Sequence, residues 1–182
     1  MAKKIYLEEH PNTNIHVINS LSAGGEVDLI VRKLNQLVAE DLDFEQVVQV
    51  ITKYQEKTKL LFVLAKVDNL VKNGRLSKLI GAVVGLLNIR MVGEASKTGT
   101  LELLQKARGQ KKAIKAAVEE LLKAGYAGGH ITIAHRNNEK FIEQFSELVR
   151  EKFAHAAIEV LPTSGLCSFY AEEGGLLMGY EI

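Results

Sequence analysis

A loop of small and hydroxyl-bearing residues, Ser20-Leu-Ser-Ala-Gly-Gly25, leads directly into a predicted helix near the start of the chain. The first turn of a helix presents unpaired backbone N–H groups, and its dipole favours an anion, either a phosphate or a carboxylate. Ser20 and Ser22 would add two hydroxyl groups to such a site. The alternative is that Ser22 only caps the helix, as serine often does, while Gly24 and Gly25 form the turn.

The usual signatures of catalysis are missing. The sequence has no Walker A motif, no Gly-x-Gly-x-x-Gly motif and no Gly-x-Ser-x-Gly motif. The five histidines show no His-x-x-x-His pairing, so we expect structural histidines and no metal site. Cys167, the single cysteine, cannot form an intramolecular disulfide and is expected to be a small buried hydrophobe. An enzyme with Ser22 as nucleophile would need a general base, and the sequence reveals none.

Alternating helices and strands are predicted around the hydroxyl loop. A capping box at Asp43 and Gln46 marks one helix start, and the apolar run from Leu60 to Ala65 is typical of a strand buried on both faces. The predicted elements of this part are a helix over Lys3–His10, a strand over Asn14–Asn19, an amphipathic helix from Gly25 with Val27, Ile30, Val31, Leu34, Leu37 and Val38 on one face, and a helix over 43–57.

The second half continues the same alternation, which predicts an α/β architecture. Its expected elements are a helix over Ser77–Leu87, a hairpin of Ile89–Gly93 with Thr100–Gln105 around a turn at Lys97–Gly99, a helix ending at Gly125, strands over Ile131–Ala134 and Ile158–Leu161 with a helix between them, and a last strand over Leu176–Ile182.

Composition excludes several classes of protein. The chain has 182 residues, 47% of them hydrophobic, and a net charge of +1, which indicates a globular protein of one or two domains without the basic field that nucleic acids attract. The longest apolar run, Leu79–Leu87, is far shorter than the roughly 20 residues that span a bilayer. Because mixed polar sequence follows Lys3 and Lys4 at the start, we expect no secretory signal and a cytoplasmic protein.

Several motifs together carry a family resemblance. They occur in the order Ile18-Asn-Ser-Leu-Ser-Ala-Gly24, Asn73-Gly-Arg-Leu-Ser-Lys78, Leu86-Leu-Asn-Ile-Arg90, Lys106-Ala-Arg-Gly-Gln-Lys-Lys-Ala113 and Gly174-Gly-Leu-Leu-Met-Gly179. With this order and spacing the chain resembles the DegV family of bacterial fatty-acid-binding proteins over essentially its whole length. No single segment is decisive, but their combination is specific.

The resemblance implies a two-domain protein with a fatty acid buried between the domains. Residues 1–68 would be the remainder of a parallel-sheet N-terminal domain, and residues 69–182 a smaller α/β C-terminal domain. Family members present the fatty acid to a separate ATP-dependent fatty acid kinase, which makes the acyl phosphate for phospholipid synthesis. The resemblance therefore implies a long-chain fatty acid as ligand, a kinase as partner, and neither catalytic residues nor a cofactor in this chain.

The lipid-binding residues implied by the resemblance are Ser20, Ser22, Gly24, Gly25 and Tyr170. Many members carry His-Thr-Gly-Pro-Gly where this chain has Tyr170-Ala-Glu-Glu-Gly, so Tyr170 would replace the histidine beside the headgroup. A frequent aspartate before the first loop serine is asparagine here. Members also extend about a hundred residues further at the N-terminus, where a second hydroxyl-rich loop supplies half of the carboxylate site, so we expect that half to be absent.

Two arginines are expected at the partner surface. Arg75 and Arg108 lie in family-like motifs and precede predicted helices, where a cation opposes the helix dipole and does not serve local stability. We expect them to converge beside the headgroup and contact the kinase. Leu79–Leu87, with Gly81 and Gly85, could line the acyl cleft, and an exposed sheet edge could form a dimer. The alternatives are a serine-nucleophile enzyme that transfers acyl or phosphoryl groups and a regulatory interaction module without a ligand.

Overall fold

The computed structural model describes residues 1–76 and 88–182, and this part of the chain forms seven helices and six strands. The helices are α1 (Ala2–Glu9), α2 (Gly25–Ala39), α3 (Phe44–Gln55), α4 (Asp68–Lys72), α5 (Gln110–Lys123), α6 (Glu139–Lys152) and α7 (Gly165–Ala171). The strands are β1 (Thr58–Leu64), β2 (Ile89–Ala95), β3 (Leu101–Arg108), β4 (His130–His135), β5 (Ala157–Pro162) and β6 (Leu176–Glu181).

All six strands belong to one mixed sheet with the order β3-β2-β1-β6-β4-β5. Strands β4 and β5 are parallel, and every other neighbouring pair is antiparallel. The predicted α/β class and the predicted β2–β3 hairpin are confirmed. A parallel sheet was expected in residues 1–68. The one strand described there, β1, is antiparallel to both of its neighbours, and the parallel pair β4 and β5 lies in residues 69–182.

Strand β1 ties the two halves of the chain together. It belongs to residues 1–68, whereas both of its neighbours, β2 and β6, belong to residues 69–182. Leu61, for example, lies opposite Glu94 on one side and Met178 on the other. A boundary at residue 68 would divide this sheet between two domains, and the two-domain division itself stays a prediction.

The side chains of β1 alternate between two apolar layers. Leu61 and Val63 pack into the layer beneath α5 and α6, while Phe62 and Leu64 face the opposite side, and all four are buried. This confirms the prediction of a strand buried on both faces. On the face of the sheet that carries Phe62 and Leu64, α2 covers β6 and β4. Shorter segments cover β1 and β2 on this face.

Helices α2 and α3 pack on each other, but the predicted apolar face of α2 is only partly buried, because Val31 and Val38 are exposed. Ile30 and Leu37 of α2 meet Ile51 of α3 in a small buried cluster. The predicted capping box is present, because the Gln46 N–H donates to Asp43 Oδ1 at 2.8 Å and the Asp43 N–H donates to Gln46 Oε1 at 3.0 Å. This pair satisfies two N–H groups at the start of α3 and fixes the α2–α3 turn.

The predicted strand over Asn14–Asn19 is wrong for the described chain. This segment forms no strand with any residue of 1–76 and 88–182, and most of it is exposed. Ile18 packs against the α2–α3 cluster, and Gln55 Nε2 donates to the Asn19 carbonyl at 2.6 Å. A β-strand requires a hydrogen-bonded neighbour, which the apolar alternation of this segment cannot supply by itself.

The predicted helix over Ser77–Leu87, with Gly81 and Gly85, lies outside the described residues. The short helices α4 and α7 were not predicted, because five and seven residues are too few to show a helical period. None of the helices in the described ranges is long and apolar enough to cross a membrane.

Candidate functional site

A cavity of about 680 Å³ opens over β1 on the side of the sheet that carries α2. It is enclosed by the Ser20–Ala23 loop, the turn between β2 and β3, and the helices α4 and α7. The described lining residues are Asn19, Ser20, Leu21, Ser22, Ala23, Leu60, Phe62, Leu64, Leu70, Gly74, Arg75, Ala95, Thr98, Gly99, Thr100, Leu101, Leu166, Cys167, Tyr170, Ala171 and Leu177.

The floor of the cavity is apolar and elongated. Leu60, Phe62 and Leu64 project from one face of β1, and Leu177 of β6 and Leu101 of β3 border them. Because a strand rises about 3.3 Å per residue, the floor from Leu60 to Leu64 is about 13 Å long. This shape suits an extended hydrocarbon segment.

The hydroxyl loop forms one wall. The Ser22 N–H donates to Ser20 Oγ at 3.3 Å, and Leu21 between them has a positive φ of 52°. Ser22 Oγ is buried and forms no hydrogen bond with any described residue. A buried hydroxyl without a partner is costly, so a polar group of a ligand is the natural partner for this one.

The start of α2 excludes the capping alternative for Ser22. Gly24 is the N-cap, with φ 58° and ψ −128°, and no side chain caps the helix. The acidic residues of the first turn are Glu26 and Asp28, and the buried Glu26 carboxylate accepts a hydrogen bond from Thr58 Oγ1 at 2.9 Å. The Ser22 hydroxyl is therefore not engaged by its own helix.

Gly24 and Gly25 are not among the described residues that line the cavity, and their role in lipid binding stays a prediction. A side chain at Gly25 would collide with the carbonyl oxygen of Thr132 and lie 2.6 Å from the backbone N of Gly179. Gly25 thus lets the first turn of α2 lie directly on β4 and β6.

Arg75 and Tyr170 form the opposite wall together. Arg75 follows α4, Tyr170 lies on α7, and both line the cavity. Arg75 Nε donates to the Tyr170 hydroxyl oxygen at 3.0 Å, and the guanidinium carbon lies 4.8 Å from the centre of the Tyr170 ring. Among the described lining residues Arg75 is the only charged side chain, so the wall is suited to an anion.

Arg108 is not among the described residues that line the cavity. It is the exposed last residue of β3 and pairs with Ile89 of β2. The convergence of Arg75 and Arg108 beside one headgroup, and a role for Arg108 at a partner surface, stay predictions.

The sequence analysis predicted the turn between β2 and β3 but not its place at the cavity. Thr98, Gly99 and Thr100 line the cavity, and Ser96 Oγ lies 3.0 Å from Thr98 Oγ1 and 2.7 Å from Thr100 Oγ1. A side chain at Gly99 would lie 3.3 Å from the carbonyl oxygen of Leu21. Turn residues predicted the hairpin, but no local pattern places its tip against the hydroxyl loop.

The described part of the lining places no histidine or carboxylate beside Ser22. Ser22 therefore has no general base of these kinds within the described wall. Cys167 is half-buried and also lines the cavity. Within residues 1–76 and 88–182 no three histidine, cysteine, aspartate or glutamate side chains cluster as metal ligands do.

Comparison with known proteins identifies the family. The family model described as "Uncharacterised protein, DegV family" matches residues 1–180. A DegV domain-containing protein of Streptococcus gordonii is 76% identical over 182 residues, which are 100% of this chain and 65% of that protein. A DegV domain-containing protein of Streptococcus pneumoniae shows the same identity and coverage. The chain spans about 65% of the length of these relatives.

Solved structures share the fold. The Fatty Acid Kinase (Fak) B3 protein of Streptococcus pneumoniae, loaded with linoleic acid, is 76% identical with a TM-score of 0.97, and the match covers 100% of this chain and 64% of that one. A DegV family protein from Eubacterium eligens, loaded with heptadecanoic acid, is 37% identical with a TM-score of 0.94, covering 99% and 65%. The chain therefore belongs to the DegV family.

Proposed function

We propose that this chain binds a long-chain fatty acid, with the acyl chain on the apolar floor and the carboxylate at the polar walls. The proposal rests on three features that meet in one cavity. They are the buried Ser22 hydroxyl, which has no hydrogen-bond partner among the described residues, the apolar face of β1, and Arg75 as the only charged group among the described lining residues. Ser20 and Tyr170 are the further candidates for hydrogen bonds to the carboxylate.

The energetics favour a long chain. Each methylene transferred from water contributes about 0.8 kcal/mol, so a chain of common length contributes on the order of 10 kcal/mol before ordering costs. A carboxylate that leaves water needs hydrogen-bond donors in compensation. Hydroxyl groups of Ser22 and Tyr170 are such donors, and the cation of Arg75 favours the ionised form of the headgroup.

The relatives support the same ligand class. The pneumococcal protein at 76% identity was solved with linoleic acid, and the Eubacterium eligens protein at 37% identity was solved with heptadecanoic acid. These two acids differ in length and unsaturation, which supports a long hydrocarbon as the shared feature. The match to the pneumococcal protein covers the whole chain and therefore every described residue that lines the cavity.

The proposed role is to present the carboxylate to a separate fatty acid kinase in the cytoplasm. The kinase would transfer the γ-phosphoryl group of ATP to a carboxylate oxygen, which yields an acyl phosphate and ADP, while this chain would supply binding without a cofactor. The relative named Fatty Acid Kinase (Fak) B3 supports this partner. Arg75, which is exposed at the cavity wall, and Arg108 are the proposed contacts with the kinase.

Mass spectrometry of organic extracts from the purified protein tests the ligand. We expect about one fatty acid per chain, and the Ser22→Ala variant is expected to carry less. The matched control is Ser164→Ala, because Ser164 is exposed, makes no side-chain capping bond and does not line the cavity. Extracts without lipid would contradict the proposal and favour a ligand-free interaction module. An acyl group covalently attached to Ser22 would favour the nucleophile alternative.

Arg108→Ala tests the partner contact separately, because Arg108 does not line the cavity. At saturating fatty acid, we expect unchanged lipid content but reduced acyl phosphate production, with a deficit that grows as salt is lowered, since exposed charge pairs are screened by salt. Full production at every ionic strength would remove Arg108 from the proposed interface.

A further inference from the structure

Tyr170 is held by contacts on two sides. Arg75 Nε donates to its hydroxyl oxygen at 3.0 Å, with the guanidinium carbon 4.8 Å from the ring centre. The Phe169 ring lies edge-on to the Tyr170 ring, with the centroids 5.0 Å apart at 73°. The guanidinium and the neighbouring aromatic ring together restrict the orientation of the phenol.

Helix α7, which carries Tyr170, and helix α4, which precedes Arg75, are also tied to each other. The backbone N–H of Asn69 on α4 donates to Glu172 Oε1 at 2.8 Å, just beyond α7. The Asn69 side-chain amide donates to the Phe169 carbonyl on α7, also at 2.8 Å. Because α4 and α7 are fixed against each other, the separation of Arg75 and Tyr170 is set by the fold, although 95 residues of sequence lie between them.

The direction of the Arg75–Tyr170 hydrogen bond has a chemical consequence. Arginine can only donate, so the phenol oxygen is the acceptor, and the hydroxyl keeps its own proton for donation. An adjacent guanidinium cation also strengthens the phenol as a donor to an anion. Since Tyr170 lines the cavity, its O–H is available to a carboxylate bound there.

We propose that Arg75 is a positioning residue for the headgroup, because it orients the Tyr170 hydroxyl as a donor to the fatty acid carboxylate. This role rests on the proposed fatty acid function and deepens it. It makes Tyr170 and Arg75 one unit in which Tyr170 touches the ligand and Arg75 acts through it. Arg75 then matters for ligand affinity even when no kinase is present.

The test compares a fatty acid with its methyl ester in binding to purified protein without kinase. Tyr170→Phe keeps the ring and removes only the hydroxyl, and we expect it to weaken fatty acid binding about tenfold, the ratio typical of one hydrogen bond to a charged group. Arg75→Ala is expected to weaken binding about threefold to tenfold. The methyl ester, which lacks the negative charge, should bind all variants nearly equally.

The double variant decides whether Arg75 acts through Tyr170. We expect Arg75→Ala to cause a clearly smaller loss in the Tyr170→Phe background than in the wild type, because only the direct attraction between its cation and the carboxylate remains. Arg150→Ala, at an exposed residue of α6 that does not line the cavity, is the matched control for charge and is expected to leave both affinities unchanged. Independent losses that multiply in the double variant, or an equal loss for acid and ester, would overturn this inference while leaving fatty acid binding intact. Wild-type protein that binds no fatty acid would overturn the proposed function as well.

Discussion

Replacing Ser22 by alanine is expected to stabilise the ligand-free protein and to weaken fatty acid binding. Ser22 Oγ is buried and forms no hydrogen bond with the described residues, and an unpaired buried polar group costs about 1–3 kcal/mol. Alanine removes that cost and leaves a space of only one atom. We therefore expect the free energy of unfolding of the ligand-free protein to rise by about 1 kcal/mol.

In the complex the same hydroxyl is expected to donate to the carboxylate. A hydrogen bond to a charged group contributes about 1.5–3 kcal/mol, so Ser22→Ala should reduce fatty acid affinity about tenfold to a hundredfold. The opposite signs of the two effects separate a ligand-binding hydroxyl from a structural one. A structural hydroxyl would lower stability when removed and would change affinity little.

Two assays on delipidated protein check the direction of both changes, in stability and in affinity. Urea unfolding followed by circular dichroism gives the free energy of unfolding, and displacement of a labelled fatty acid gives the affinity. Ser164→Ala, the exposed control, is expected to change neither quantity. If Ser22→Ala destabilised the ligand-free protein by more than about 1 kcal/mol, or bound fatty acid as tightly as the wild type, Ser22 would not be the carboxylate ligand.

Three further predictions concern the fold. Gly25→Ala should lower the free energy of unfolding by about 3 kcal/mol through its collision with the Thr132 carbonyl, whereas Gly165→Ala, with open space but φ 45°, should cost about 1 kcal/mol in the same urea titration. Burial, and then the charge of Glu181, raise the pKa of Tyr126 to about 12. An unfolded tyrosine ionises at about pH 10. The contribution of Tyr126 to the free energy of unfolding should therefore be complete below pH 10 and lost towards pH 12. A free energy of unfolding that stays constant over this range would contradict the raised pKa. The isolated chain should self-associate through an outer strand, β3 or β5, of the described sheet, and a clean monomer in light scattering that binds no apolar dye would disprove this.

Elements with a long regular pattern were predictable from the sequence. The spacing of Ile30 and Leu37 marks the buried side of α2, and the continuous apolar run of β1 follows from its two covered faces. The capping box at Asp43 and Gln46 is a local signal with a local cause. In each case the information lies within a few residues of the element it describes.

Features that depend on distant partners could not be predicted in this way. The insertion of β6 between β1 and β4 is set by packing of the whole sheet, which no local pattern records. The alternation of Asn14–Asn19 is compatible with a strand, but the described chain supplies no neighbour for it. The short helices α4 and α7 exist because tertiary contacts hold them, including the bonds from Asn69 to α7.

The candidate site was predictable only in part for the same reason. The hydroxyl loop is one continuous motif, so Ser20 and Ser22 could be found from sequence. Family resemblance pointed to Tyr170 and Arg75, but their hydrogen bond joins residues far apart in the chain. The hairpin tip at Thr98–Thr100 carries no signal for its contact with Leu21.

A crystal structure of the protein with a bound fatty acid tests the central claim most directly. The account predicts the acyl chain along Leu60, Phe62 and Leu64, and a carboxylate oxygen within about 3 Å of Ser22 Oγ, as a hydrogen bond requires. A carboxylate more than one bridging water away from the Ser20–Ser22 loop, or an acyl chain outside this cavity, would contradict it.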